Sequence, residues 1–248
     1  MEDAFGQALW DYENSEHKST YTTERDDGRH ESAEIAHYFQ PYDQWEDLTK
    51  EAMNYIRDGD SVLDVGCGAG RHTLWLQSLG HDVVAIDRSP LAIKTCKERG
   101  VEDCEVMSLS NLDFPSNSFD TVLVVGNILG LGGDVDSVKN LLDEIDRITT
   151  EDGRLIADTQ DPFIDDEISD EYFQKNRLSN HKATSVRFRV RYDDLIEDWL
   201  EILLIGEEEL KKIVADSPWK VRESIKANPD EGWYSLKALW YYVVLDKS

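Results

Sequence analysis

Between residues 61 and 158, short apolar runs alternate with segments whose apolar positions recur every three or four residues. The runs predict strands at Ser61–Val65, Asp82–Ile86, Glu105–Met107, Phe119–Val125 and Arg154–Asp158. The periodic segments predict helices over Arg71–Leu79, closed by Gly80, and from Ser89-Pro90 to Gly100, with Ser89 as cap and Pro90 in the first turn. Val135, Val138, Leu141, Leu142, Ile145 and Ile148 mark a third helix, followed by a turn at Glu151-Asp152-Gly153. Buried strands alternating with amphipathic helices predict a parallel sheet with helices on both faces.

The flanks read differently. Residues 1–42 show little periodicity and are expected to form an arm or lid. A helical pattern begins at Asp43 and runs through Trp45, Leu48, Ala52 and Ile56 to Asp58-Gly59-Asp60. Residues 160–182 are polar. Val186–Tyr192 then alternates strictly, with Arg187, Arg189 and Arg191 on one face. Glu207–Val214 reads as a helix, and Trp219–Ile225 and Leu236–Leu245 read as an antiparallel hairpin at the sheet edge. The expected architecture is α/β: a doubly wound, mostly parallel sheet of seven strands with that edge hairpin. It carries an N-terminal arm at 1–42, a ligand-binding domain at 43–248, and an insertion after the fifth strand, about residues 160–200, as a substrate cap.

Composition narrows the partners. The chain has 52 Asp plus Glu against 26 Lys plus Arg, a formal net charge of −26, and the carboxylates are spread along its whole length. Nucleic-acid binding rests on neutralising phosphates, so this balance disfavours DNA and RNA. An evenly acidic surface is the expected signature of a salt-rich cytoplasm, a halophilic adaptation in which screening suppresses self-repulsion. No stretch approaches the roughly 20 apolar residues of a membrane span, and the start lacks a signal-peptide pattern, so a cytoplasmic location is expected. Cys67, Cys96 and Cys104 form no Cys-x-x-Cys pair, which argues against a disulfide framework and against a metal site.

The chemistry concentrates at Val62-Leu63-Asp64-Val65-Gly66-Cys67-Gly68-Ala69-Gly70-Arg71, a strand running into a glycine turn and a helix. Such a turn lets backbone approach a ligand closely. The dinucleotide fingerprint needs a small residue where Arg71 stands, and Asp64 suits a cationic ligand end better than a pyrophosphate. With Asp64, Gly66, Gly68 and Gly70 in their positions, the segment resembles the first motif, Asp-x-Gly-x-Gly-x-Gly, of the class I S-adenosylmethionine-dependent methyltransferases. Residues 60–160 resemble that family in the order and spacing of their motifs.

The resemblance implies that residues 64–70, Cys67 included, wrap the methionyl part of S-adenosylmethionine. It further implies that Asp87, ending the second strand, grips the ribose hydroxyls, with Arg88 over the adenine. Where family members commonly place an Asp for the adenine amino group, this chain has Ser108, so that contact falls to Ser108 and Leu109. Glu24–Gly28 and Gly70-Arg71-His72 resemble segments of small-molecule methyltransferases.

The stretch after the fourth strand, Val125-Gly126-Asn127-Ile128, is not the Asn/Asp-Pro-Pro-Tyr/Phe motif of many amino-methylating enzymes. Asn127 is a candidate cofactor contact and catalytic residue, or simply a turn residue; no base stands out. Asp158 and Gln160, at the C-terminal end of the fifth strand, are candidates to face the ligand crevice, and His37, Tyr38 and Glu24–Asp27 of the arm to close over it, or each is simply a solvated surface residue. Tyr192 and Trp199 are candidate pocket walls or packing residues, and the arginine stripe an anion-steering surface or a face paired with carboxylates. The expected partner is a small-molecule acceptor. A nicotinamide-dependent oxidoreductase and a catalytically silent binding module remain open alternatives, and neither the acceptor atom nor the oligomeric state is legible.

Overall fold

The computed structural model describes residues 2–14, 19–164, 167–168, 171–178, 183–226 and 239–247. The chain begins with helix α1 (Ala4–Glu13), strands β1 (Thr20–Arg25) and β2 (His30–Glu34), and short 3-10 helices at Ile35–Phe39 and Tyr42–Gln44. Helix α2 (Asp47–Met53) leads into β3 (Ser61–Val65), α3 (Arg71–Ser78), β4 (Asp82–Asp87), α4 (Pro90–Arg99) and β5 (Asp103–Val106). Then come β6 (Phe119–Val124), a 3-10 turn at Ile128–Gly130, α5 (Val135–Ile148) and β7 (Thr149–Asp161). Two-residue strands β8 (Phe163–Ile164) and β9 (Glu167–Ile168) precede α6 (Glu171–Leu178). The chain ends with β10 (Ser185–Tyr192), β11 (Leu195–Ile196), β12 (Leu200–Leu203), α7 (Glu207–Val214), β13 (Trp219–Lys226) and β14 (Leu239–Lys247).

The main sheet has seven strands in the order β13-β14-β7-β6-β3-β4-β5. Its parallel core and antiparallel C-terminal strands match the expected class. By contact the chain divides into two compact units, Met1–Trp45 with Asp58–Asp113 and Arg187–Leu200, and Glu46–Arg57 with Phe114–Val186 and Glu201–Ser248.

In the first unit β3, β4 and β5 run parallel, Val62 opposite Val83 and Ala85 opposite Cys104. Val62, Leu63 and Val65 are buried because a parallel strand is covered on both faces. Ser89 accepts from the Ala92 N–H to cap α4, and Gly100 ends it in a left-handed conformation at φ 94°. The arm is more structured than its weak periodicity predicts. Its β1 pairs antiparallel with β2 and with β10, Glu24 lying opposite Arg189. β2 alternates exposed and half-buried positions, so it carries few apolar residues to betray it. α1 is capped by Asp3, whose carboxylate accepts from the Gly6 N–H at 3.0 Å.

In the second unit β6 and β7 are parallel, while β14 pairs antiparallel with β7 and with β13. The edge hairpin is therefore present; residues 236–238, assigned to the start of its second strand, lie outside the described residues. β7 starts earlier than its apolar run, at Thr149 rather than Arg154. The Glu151-Asp152-Gly153 turn is taken up as an irregularity, with Phe119 opposite Thr149 and then Thr121 opposite Arg154. Helix α2 is shorter than the pattern from Asp43 implies, because Tyr42–Gln44 forms a separate 3-10 turn. Arg154 is buried and bonded to Asp246 at 2.6 Å, with a further bond to the Tyr55 carbonyl.

Candidate cofactor and acceptor sites

Three glycines at positive φ build the turn from β3 into α3: Gly66 at 75°, Gly68 at 56° and Gly70 at 77°. The N–H groups of Gly66 and Cys67 both donate to the Ile86 carbonyl, at 2.8 and 3.1 Å, tying the turn to β4. A Cβ on Gly70 would come within 2.8 Å of Val101 and 3.1 Å of Cys96, so this glycine serves the packing of the turn against its own surroundings. Cys67 and Cys96 are buried free thiols with sulfurs 3.7 Å apart, and Cys96 donates to the Gly68 carbonyl.

Asp64 is 2% exposed and accepts from the Thr73 hydroxyl at 2.7 Å. Burial pushes its carboxyl up to about 6; the nearby negative charge of Asp87 adds to the rise, and the Thr73 bond opposes it. Asp87, at the end of β4, accepts from the Gly68 N–H at 3.0 Å through Oδ2 and from the Ser89 N–H at 2.8 Å through Oδ1. Burial raises its pKa against those two bonds. Each carboxylate oxygen can accept a second hydrogen bond, so Asp87 retains acceptor capacity for a diol. Together with the glycine turn, this donor set fits a cofactor with a cationic end and a ribose.

The remaining predicted contacts are placed less directly. The Arg88 guanidinium bonds Glu197 at 2.9 Å and is partly exposed. Ser108 is exposed and its hydroxyl lies 2.8 Å from that of Ser110, while Leu109 is half-buried in the same turn. The Met107 N–H donates to the Asp87 carbonyl at 3.0 Å, which sets the start of this turn beside the end of β4.

The arm supplies partners that local reading misses. Asp3 accepts from the Ser89 hydroxyl at 2.7 Å and from the Leu91 N–H at 3.3 Å. Glu197, 4% exposed, accepts from the Phe5 N–H at 2.9 Å as well as from Arg88, and burial raises its pKa. Asp3 stands directly before an apolar run, a cap signal open to sequence reading. Glu197 carries no comparable local signal. Arg71 donates to the His37 carbonyl at 3.0 Å and to His72 Nε2 at 3.1 Å, and lies over the Trp45 ring. Burial, then the Arg71 and His37 charges, hold His72 below the usual imidazole range.

Arg189 and Arg191 bond Glu24, lowering its carboxyl to about 2, and Arg187 and Arg189 lie over the Trp199 ring. The stripe is thus engaged with a carboxylate and an aromatic face. Tyr192 is buried in a cluster with Leu9, Tyr21 and Val190.

In the second unit, Asp158 Oδ1 accepts from both the Gly126 and the Asn127 N–H at 2.8 Å. That pair of bonds holds Asn127 in a left-handed conformation at φ 62°. Its Oδ1 is buried and has no hydrogen-bond partner among the described residues. Gln160 is 4% exposed on β7.

A methyltransferase domain family matches residues 63–157, from β3 to within β7. The chain is 32% identical over 124 residues to the eEF1A lysine and N-terminal methyltransferase of Bos taurus, covering 48% of this chain and 18% of that protein. It is 27% identical over 148 residues to the demethylmenaquinone methyltransferase of Tropheryma whipplei, covering 52% and 60%. The match thus spans less than two thirds of these curated relatives. Among solved structures, an S-adenosylmethionine-dependent methyltransferase from Bacteroides fragilis in complex with S-adenosylhomocysteine is similar over 100% of this chain and 95% of that one, at 26% identity and a TM-score of 0.81. Residues 63–157 thus match a methyltransferase domain, and the fold of the whole chain is similar to that of an S-adenosylmethionine-dependent methyltransferase solved with S-adenosylhomocysteine.

Proposed function

We propose that this chain transfers a methyl group from S-adenosylmethionine to a small-molecule acceptor. The observation that carries the reading is the joined pair of Gly68 and Asp87, backed by buried Asp64, because it couples a close-approach turn to two carboxylates. In this reading Asp64, Gly66, Cys67, Gly68 and Gly70 surround the methionyl end, and Asp87 holds the ribose. Arg88, Ser108 and Leu109 serve the adenine, with Asn127 as a further cofactor contact. The bound cofactor supplies an electrophilic methyl group. The protein's part is to hold it, exclude water and orient the acceptor. No side chain is assigned as a base; a base is required only if the acceptor must lose a proton before attack.

A small acceptor is supported by the charge of −26, which works against phosphate-bearing polymers. The relatives' names span a protein lysine, a protein N-terminus and a demethylmenaquinone, so they favour no single acceptor. A domain boundary at residue 43, a cytoplasmic location and adaptation to high salt belong to the same proposal. Among the described residues no helix is long and apolar enough to cross a membrane.

The test is label transfer from methyl-tritiated S-adenosylmethionine to a cell extract divided by size. Label in the fraction below about 1 kDa supports the reading. Label confined to protein or nucleic acid overturns the small-molecule acceptor.

A further inference from the structure

Gly68 is flanked on two sides. Its N–H is bonded to Asp87, and the position its Cβ would occupy lies 3.6 Å from Cδ1 of Tyr38. The Tyr38 ring therefore lies beside the turn that the proposed function assigns to the methionyl end, at the place a side chain on Gly68 would reach.

Tyr38 does not stand alone. Phe5 of α1 meets it edge to face with centroids 5.0 Å apart, and meets Tyr21 of β1 at 5.6 Å. The Tyr21 and Tyr38 hydroxyls are 2.8 Å apart. Burial, then Tyr38, raises the Tyr21 pKa well above the ordinary phenol value, so Tyr21 stays neutral at physiological pH. Edge-to-face packing and a hydroxyl pair fix the ring planes, so the Tyr38 ring is held beside the turn by two neighbours.

The charges around this turn have one sign in excess. Asp64, Asp87 and Glu197 are buried, and Asp3 is bonded to Ser89, the second residue beyond Asp87. Asp64 feels Asp87, Asp87 feels Asp3, and Glu197 feels both Asp3 and Asp87. Against these four carboxylates stand Arg88, bonded to Glu197, Arg71, bonded to His37 and His72, and Arg99, which donates to the Ala69 carbonyl of the turn and is itself paired with a fifth carboxylate, Glu13. Such a balance favours a cation, and an aromatic face is the side-chain surface that attracts one without adding charge.

We propose that Tyr38, held by Phe5 and Tyr21, is a positioning residue that recognises the positive charge of the cofactor's sulfonium. The chain then distinguishes S-adenosylmethionine from S-adenosylhomocysteine at the binding step, before any chemistry. This rests on the proposed function, which places the methionyl end at residues 64–70.

The test is calorimetry with S-adenosylmethionine and sinefungin, which carry a positive charge at the reacting position, and with neutral S-adenosylhomocysteine. The proteins are the unmodified full chain, Tyr38→Phe and Tyr38→Leu. The unmodified chain is expected to bind both cationic ligands more tightly than the neutral one. Tyr38→Phe keeps that preference because it keeps the ring. Tyr38→Leu loses about tenfold in affinity for the cations and less than twofold for S-adenosylhomocysteine. A merely structural role for Tyr38 lowers all three affinities together, which overturns the proposal. Should Tyr38→Leu fail to fold, the ligand series on the unmodified chain decides: equal affinity for cationic and neutral ligands overturns it. Failure of the unmodified chain to bind any of the three overturns this proposal and the proposed function together.

Discussion

The Gly68 N–H donates to Asp87 Oδ2 at 3.0 Å, joining the middle of the glycine turn to the carboxylate that ends the neighbouring strand. One side chain therefore orders both the turn and the start of the helix after β4. Asp87→Ala is predicted to weaken S-adenosylhomocysteine binding by about 1.5–3 kcal/mol and also to lower the melting temperature, because the Gly68 and Ser89 N–H groups lose their acceptor. Calorimetry and thermal melts check both. Lost affinity with unchanged stability would confine Asp87 to the ligand.

Gly70→Ala isolates the packing role of the turn. The added methyl group meets Val101 at 2.8 Å, and the backbone stays at φ 77°. Left-handed strain and overpacking together predict a loss of about 2–4 kcal/mol in urea unfolding.

Asp64 gives stability a pH dependence. In the folded chain it holds its proton up to about pH 6, while its ordinary value is 3.8. The folded state thus binds the extra proton between those values, and stability from this group falls as pH rises through the window, then levels off. The cost above the window is about 3 kcal/mol. Asp64→Asn is predicted to remove that slope from melts recorded between pH 4 and 7. Cofactor affinity of the unmodified chain is predicted to rise with pH through about 6, as the carboxylate ionises toward a cation, and to show no such rise in the variant.

Asn127 separates strain from function. Its left-handed backbone suits glycine, so Asn127→Gly is predicted to fold with equal or greater stability, by up to about 1 kcal/mol. The variant also removes the buried Oδ1, and S-adenosylhomocysteine affinity is predicted to fall. A stability gain with unchanged affinity would assign that oxygen to something other than the cofactor.

The even spread of 52 carboxylates predicts that the melting temperature rises with added KCl into the molar range, as screening relieves repulsion. Unchanged or falling stability would contradict adaptation to high salt.

The central sheet was legible because strands buried on both faces announce themselves as continuous apolar runs, as Ser61–Val65 does, and helix α5 was legible because its apolar positions recur at helical spacing from Val135 to Ile148. Asp64, the glycines and Asp87 were legible because their spacing is local. The arm was not, because its order comes from partners far away in sequence: Glu24 meets Arg189 and Phe5 meets Glu197. The half-buried strands β1 and β2 need few apolar residues, so periodicity carries little of their signal. Asp158 was expected to end the fifth strand, which instead runs on to Asp161, and only the structure reveals that Asp158 fixes the Asn127 turn through two backbone bonds.

The measurement that tests the account most directly is calorimetric titration of the full chain with S-adenosylhomocysteine and, separately, with NAD. The account predicts saturable one-site binding of the former and no heat from the latter. Binding of NAD without S-adenosylhomocysteine would contradict it.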